Sequence, residues 1–234
     1  MDLDTIAGWL GRESFNDFEL APGRLDEVAR LLDAPVQAGE LHPLGFHGSG
    51  SWIALWRKDA SKPWDEAAWV WIDAQGSPWE AFASSAGEAL AMLALDTGTI
   101  CDALASGERA ARSRYAEDEV EGREEWAVRT REEIARSASR HAGQAAYRED
   151  LVRAGIALPI NAFAVAIEAI RRNGRFSEWV RERREQAAPP PRRAPAKKTT
   201  TAAKTTKAGA SKTAASKTPS TKQSPTTRGR AKKP

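Results

Sequence analysis

Cys101 is the only cysteine in 234 residues. A lone thiol excludes an intrachain disulfide and any metal cage built on several cysteines, and its apolar, helical context makes it a small buried hydrophobe rather than a reactive group. No apolar run reaches the roughly 18 residues needed to span a bilayer. The stretch Met1–Phe15 has no basic segment followed by an apolar one, so it does not read as a secretory leader. These absences predict a soluble protein, cytoplasmic in location or associated with the nucleoid.

Signatures of chemistry are also missing. Gly48-Ser49-Gly50 has neither the span nor the Lys-Ser/Thr of a phosphate loop, and no helical pattern follows it, so it reads as a tight strand connection. Ser49 lacks the flanking pattern of a nucleophile elbow, and no two carboxylates stand at a recognisable catalytic spacing. His42 and His47 are close in sequence, but the third histidine, His141, is far away and no convergent carboxylates accompany them. The sequence predicts no enzyme, no metal site and no cofactor.

The largest absence is acid. Ala187 to Pro234 contains 13 Lys and Arg but no Asp, Glu, aromatic or large aliphatic residue. Residues 1–186 hold the other 22 basic residues and all 32 acidic ones, a net charge near −10 that the overall +3 conceals. Ordering a residue costs about 1–2 kcal/mol of backbone entropy, and residues 187–234 have nothing to bury against that cost, which predicts a disordered basic tail. An acidic body and a cationic tail call for two classes of partner.

In the tail, Lys197, Lys198, Lys204, Lys207, Lys212, Lys217, Lys222, Arg228, Arg230, Lys232 and Lys233 recur among small residues, so an extended chain could lay charge along a phosphate backbone. They are the candidate nucleic-acid contacts, for DNA or RNA bound without sequence preference. Arg228-Gly229-Arg230 resembles the centre of an AT-hook, which inserts arginines into narrow minor grooves, although Ala231 stands where that motif has proline. The plainer alternative is a solubilising polycation.

Residues 1–186 open with amphipathic helical patterns around Leu3–Leu10 and Arg24–Leu32, the second ended by Pro35. A strand block follows from Leu41 to Phe82. Trp52, Ala54 and Trp56 alternate with Ile53 and Leu55, and Trp69 and Trp71 with Val70 and Ile72. This predicts strands buried on both faces, or on one face with an aromatic cover on the other. Ser84 or Ser85 with Glu88 forms a capping box for the next helix. From Thr99 onward the pattern is helical, with breaks expected at Gly122, Gly143, Gly155–Pro159 and Gly174. The charge between Glu108 and Tyr147 reads as a solvated helix face, and Ile160, Phe163, Ala164, Ile167 and Ile170 as a face that packs on the body. The expected organisation is a domain at 1–110, a helical extension packing on it at 111–186, and the tail at 187–234.

Six of the nine tryptophans fall between Trp52 and Trp79. They read in two ways: as the core of a small sheet, or as a partly exposed aromatic face for binding. On the second reading Trp52, Trp56, Trp64, Trp69 and Trp71 are the candidate protein-binding residues.

The stretch Leu41–Leu104 resembles the SUKH superfamily of Smi/Knr-like domains. The residues that carry the likeness are His42-Pro-Leu-Gly-Phe-His-Gly-Ser-Gly50, the strands Trp52–Trp56 and Trp69–Asp73, the turn Gln75-Gly76-Ser77, and Ala83-Ser84-Ser85 leading into Glu88–Leu93. Ala86, Gly87 and Ala89 replace the aromatic positions usual at that helix start, and the family's N-terminal signature is absent. The resemblance implies an α+β fold, a small mixed, mostly antiparallel sheet with flanking helices. It also implies a non-catalytic, intracellular protein-binding role, of which immunity proteins that block toxins are one form; the acidic body suits a basic toxin. The tail resembles linker-histone tails in its Lys, Ala, Thr and Pro composition. The expected function is a protein-binding module with a tail that binds nucleic acid non-specifically. The alternative is a nucleoid or chromatin protein acting mainly through that tail.

Overall fold

The structure is a computed structural model and describes residues 3–11, 18–76, 79–113, 116–140 and 142–188. The chain separates between Pro190 and Pro191 into two units. His141 and the tail candidates from Lys197 to Lys233 lie outside the described residues.

The first unit is an α+β fold. Its elements are α1 (Leu3–Leu10), β1 (Phe18–Leu20), α2 (Leu25–Leu32), β2 (Leu41–His47), β3 (Trp52–Trp56), a 3-10 turn at Trp64–Glu66, β4 (Ala68–Ile72) and β5 (Trp79–Ala83). Six helices follow: α3 (Ala86–Leu93), α4 (Thr97–Arg112), α5 (Ala116–Arg140), α6 (Ala142–Arg153), α7 (Ala162–Asn173) and α8 (Phe176–Ala187). The sheet order is β1-β2-β3-β4-β5 and every described pairing is antiparallel, so the sheet is not mixed. No helix among the described residues is long and apolar enough to cross a membrane.

Two glycines make the meander possible. Gly50 sits at φ +85° in the β2–β3 turn, donating its N–H to the His47 carbonyl at 2.7 Å, a left-handed conformation that costs an L residue strain. At Gly45 a Cβ would lie 2.3 Å from the Glu19 carbonyl oxygen and 2.5 Å from the Phe18 ring, so only glycine lets β1 pair there. Pro43 sits at the irregularity beside it, beyond the end of β1, where its missing N–H breaks no β1 pairing.

The sheet is covered on both faces, which is why its strands read as almost unbroken apolar runs. One face presents Leu44, Ile53, Leu55, Trp69, Trp71 and Phe82 to α1, α3, α4 and α7, where Leu90, Ile100, Leu104, Phe163 and Ile167 meet it. The other presents Trp52, Ala54, Trp56, Val70, Ile72 and Ala81 to Val28 and Leu32 of α2 and Phe176, Trp179 and Val180 of α8. A large aromatic ring buries about 150–250 Å², a gross stabilisation of about 4–6 kcal/mol at about 25 cal/mol per Å² before ordering entropy is set against it.

The helices at 111–186 are part of these cores. Phe163 and Ile167 complete one face and Phe176 and Trp179 the other, while α4 runs through position 110, so the first unit does not divide there. Arg184 fastens α8 to α2 by donating Nε to the Leu32 carbonyl at 2.7 Å, on the last residue of α2. The buried Glu80 carboxylate caps the start of α8, accepting the Phe176 N–H at 2.9 Å and the Ser177 hydroxyl.

Local expectations fared unevenly. Ser85 caps α3, its hydroxyl accepting the Glu88 N–H at 3.2 Å, while Glu88 accepts the Ser84 N–H at 2.8 Å. Gly122 does not break its helix. It lies inside α5, where a Cβ would come within 3.2 Å of the Phe163 ring, so it provides room for that ring. Gly143 is the second residue of α6, which begins just after α5 ends at Arg140, and Gly155 and Gly174 lie just past helix ends, both at positive φ. Ile160 is 81% exposed, because Asn161 caps α7 and leaves Ile160 outside the helix. The charged segment is not all solvated: Glu133 is buried with Thr130 and Ser137 on the inner face of α5.

Candidate functional site

Four of the five candidate tryptophans are interior. Trp52, Trp56, Trp69 and Trp71 are at most 5% exposed, on alternate faces of strands covered on both sides, and that burial removes them from a contact surface. Trp64 alone of the five is half-buried at the surface. Arg57 lies over its ring, 4.0 Å from the centroid, and the His42 ring is 5.5 Å away.

A string of reactive residue types gathers where the β2–β3 turn meets β4 and α4. Ser49 N–H donates to His47 Nδ1 at 3.0 Å, which puts the neutral ring's proton on Nε2, 3.4 Å from Thr97 Oγ1. Ser49 Oγ donates to Ser51 Oγ at 3.1 Å, and Ser51 Oγ accepts the Ala74 N–H at 3.2 Å. Burial first, and then the Asp73 carboxylate, push the Cys101 thiol up to about 12, so it stays protonated and unreactive near neutral pH. The cavity beside His47, walled by Leu10, Phe18, Ile53 and Trp71, holds about 20 Å³, room for about one water. The arrangement braces the β2–β3 turn against β4 and α4. No group of three potential metal ligands occurs among the described residues.

The polar residues under α5 form a second cluster. The Ala94 carbonyl accepts Gln144 Nε2 at 3.0 Å and two nitrogens of Arg148 at 2.9 and 2.7 Å, while Arg148 Nη1 donates to the Ile134 carbonyl. Asp96 caps α4, accepting the Thr99 N–H at 2.7 Å. Burial and the neighbouring Asp96 raise the Glu133 carboxyl. Asp96 itself is lowered: its burial opposes this, and the hydrogen bonds from Thr99 and from Glu133 outweigh it, so the two carboxyls are pushed apart. This network is enclosed and joins helices α3 to α6.

Two surfaces remain open. The first is a cleft of about 270 Å³ between the β3–β4 connection and the end of α7, lined by Trp56, Arg57, Lys58, Asp59, Lys62, Glu66, Arg172 and Asn173. Arg57 is fixed there, with Nε donating to the Gly39 carbonyl at 2.6 Å and Nη1 to the Lys62 carbonyl. The Trp56 indole N–H is buried with no hydrogen-bond partner among the described residues. Ser61 donates its N–H and hydroxyl to Asp59, which lowers that carboxyl.

The second surface is the outer ridge of α5. Trp126, Thr130, Glu133 and Ser137 recur at helical spacing on its buried side, which turns Val120, Glu124 and Val128 outward at i, i+4 and i+8. Val120 is 59% and Val128 53% exposed, among the exposed carboxylates Glu121, Glu124, Glu125 and Glu132. Beside it, Glu121, Gly122, Glu125, Trp126 and Phe163 border a cleft of about 370 Å³ closed on the α4 side by Ser106, Arg109 and Ala110.

The sequence reading singled out neither surface. Lys58 and Lys62 were visible as charge in a loop, but Arg172 joins them only through the fold. The ridge appears only once the buried side of α5 is known to be polar. No protein-family model, no curated protein and no solved structure matches this chain.

Proposed function

We propose that this protein is a non-catalytic binding module of SUKH type whose acidic body docks a basic protein partner, with a C-terminal segment that binds nucleic acid through charge alone. One observation carries the reading: the chain separates into two units at Pro190/Pro191, within a few residues of where its charge changes sign. A net charge near −10 on the first unit steers a basic partner toward it and discourages acidic ones. The α5 ridge is the surface that suits such a partner, since Val120 and Val128 offer apolar anchors within a rim of glutamates. A toxin neutralised by this protein is one form of that partner.

The test is co-expression with the products of neighbouring reading frames. A basic neighbour should co-purify, and the reversal Glu124→Lys with Glu125→Lys should abolish the complex. No complex with any basic neighbour sinks the immunity version, and a complex indifferent to the reversal removes α5 as the interface. For the tail, if about half of its 13 cations meet phosphates, log affinity for DNA should fall against log salt with a slope of roughly −5 to −6. Deleting residues 189–234 should abolish that slope. An unchanged slope would assign nucleic-acid binding to the body.

A further inference from the structure

The β3–β4 cleft reverses the charge of the body that carries it. Its lining holds four cations, Arg57, Lys58, Lys62 and Arg172, against two carboxylates, Asp59 and Glu66. Lys58, Lys62 and Arg172 have no ion-pair partner among the described residues, in a unit with an excess of acid. Asp59 receives both Ser61 hydrogen bonds at Oδ1 and keeps its negative charge, so it counts in full against them.

Arg57 adds order to this charge. Stacking on Trp64 and donation to two backbone carbonyls hold its guanidinium in one place and leave further N–H groups to offer, so its entropic cost is already met before a ligand arrives. The end of α7 opposes an anion here, because its last carbonyls carry about half a negative charge. Arg171 of that turn is committed to Glu119, which leaves Arg172 to offset the helix end.

We propose that this cleft binds a phosphate monoester. The lining's excess of two positive charges matches a dianion and would leave a single carboxylate half balanced. A guanidinium held in a fixed plane suits bidentate contact with phosphate oxygens, and mobile lysines supply the remaining charge. At about 270 Å³ the cleft is at the small end for ligand sites, so it takes the phosphate and a short organic group.

The test is calorimetric titration of the full chain with inorganic phosphate at low ionic strength. Saturable binding is expected, weakened about threefold to tenfold by Lys62→Ala and by Arg172→Ala, and more by Lys58→Ala with Lys62→Ala together. Arg153→Ala, which removes the same charge from exposed α6, should leave the affinity unchanged. The basic tail is present in every protein, so its background cancels. The proposal is overturned if the double variant binds like the parent, if Arg153→Ala weakens binding as much as Lys62→Ala, or if nothing saturates below about 10 mM. None of these outcomes depends on whether α5 docks a protein.

Discussion

The sheet and the junction beneath α5 are both buried, yet they are held by opposite means. Around the sheet, Trp69 meets Phe82 edge to face and Trp56 meets Phe176 in the same way, with hardly a polar side chain between them. Under α5 the contacts are polar: Arg148 and Gln144 donate to the Ala94 carbonyl at the end of α3, and Glu133 acts on Asp96 beside it. Apolar burial is non-directional and tolerates small shifts, whereas a buried network must satisfy each donor and acceptor or lose their desolvation cost. The first region therefore supplies stability and the second fixes how the helices meet.

The largest expected effect is in the sheet. Phe82→Ala should cost about 4 kcal/mol in chemical denaturation, because the fully buried ring leaves a cavity between Trp69 and α3. At the junction, Arg148→Met keeps volume but leaves the Ala94 carbonyl to Gln144 alone, strips the Ile134 carbonyl of its Arg148 donor and removes a positive charge that acts on Glu133, and should cost about 3 kcal/mol. A cost below about 1 kcal/mol would dissolve the contrast, since the network would then be replaceable by packing.

Glu80 tests the exception, a carboxyl inside the apolar region. Burial raises it from 4.5 to about 7, with Glu108 adding to the rise and the Ser177 and Phe176 hydrogen bonds and Arg175 opposing it. The folded state therefore binds a proton that the unfolded state releases between those values, and stability should fall as pH rises from about 5 to above 7. Glu80→Gln should flatten that dependence and gain about 2 kcal/mol at pH 8, read from denaturation midpoints across pH. A parent protein with no loss of stability between pH 5 and 8 contradicts the assignment. The smallest effect is expected of Gly122→Ala, where better helix propensity, about 1 kcal/mol, is set against a Cβ 3.2 Å from the Phe163 ring. A net change beyond about 1 kcal/mol in either direction would show that this ring is held more rigidly, or more loosely, than its neighbours.

The same contrast decided what the sequence could disclose. Alternation of Trp52, Ala54 and Trp56 with Ile53 and Leu55 announces a strand buried on both faces, and Ser85 with Glu88 announces a helix start, because hydrophobic period and capping chemistry are local. Thr130, Glu133 and Ser137 carry no such signal. A hydrophobic pattern cannot mark a buried stripe that is polar, so the segment looked solvated throughout. Gly122 looked like a break because the Phe163 ring that requires it lies two helices away. Half of the phosphate cleft was legible as Arg57-Lys58 and Lys62, and the other half, Arg172 and Asn173, arrives only through the packing of α7 on β5.

The return of α8 to the sheet has a consequence for synthesis. The face bearing Trp52 and Trp56 is made early, but half of its cover, Phe176, Trp179 and Val180, is translated last of all the core residues. The 47 residues that follow α8 take roughly 2–9 s to add at about 5–20 residues per second. Small domains commonly fold within that time. The acid-free segment thus gives α8 time to dock, so the tryptophan face can close while those residues are still being added.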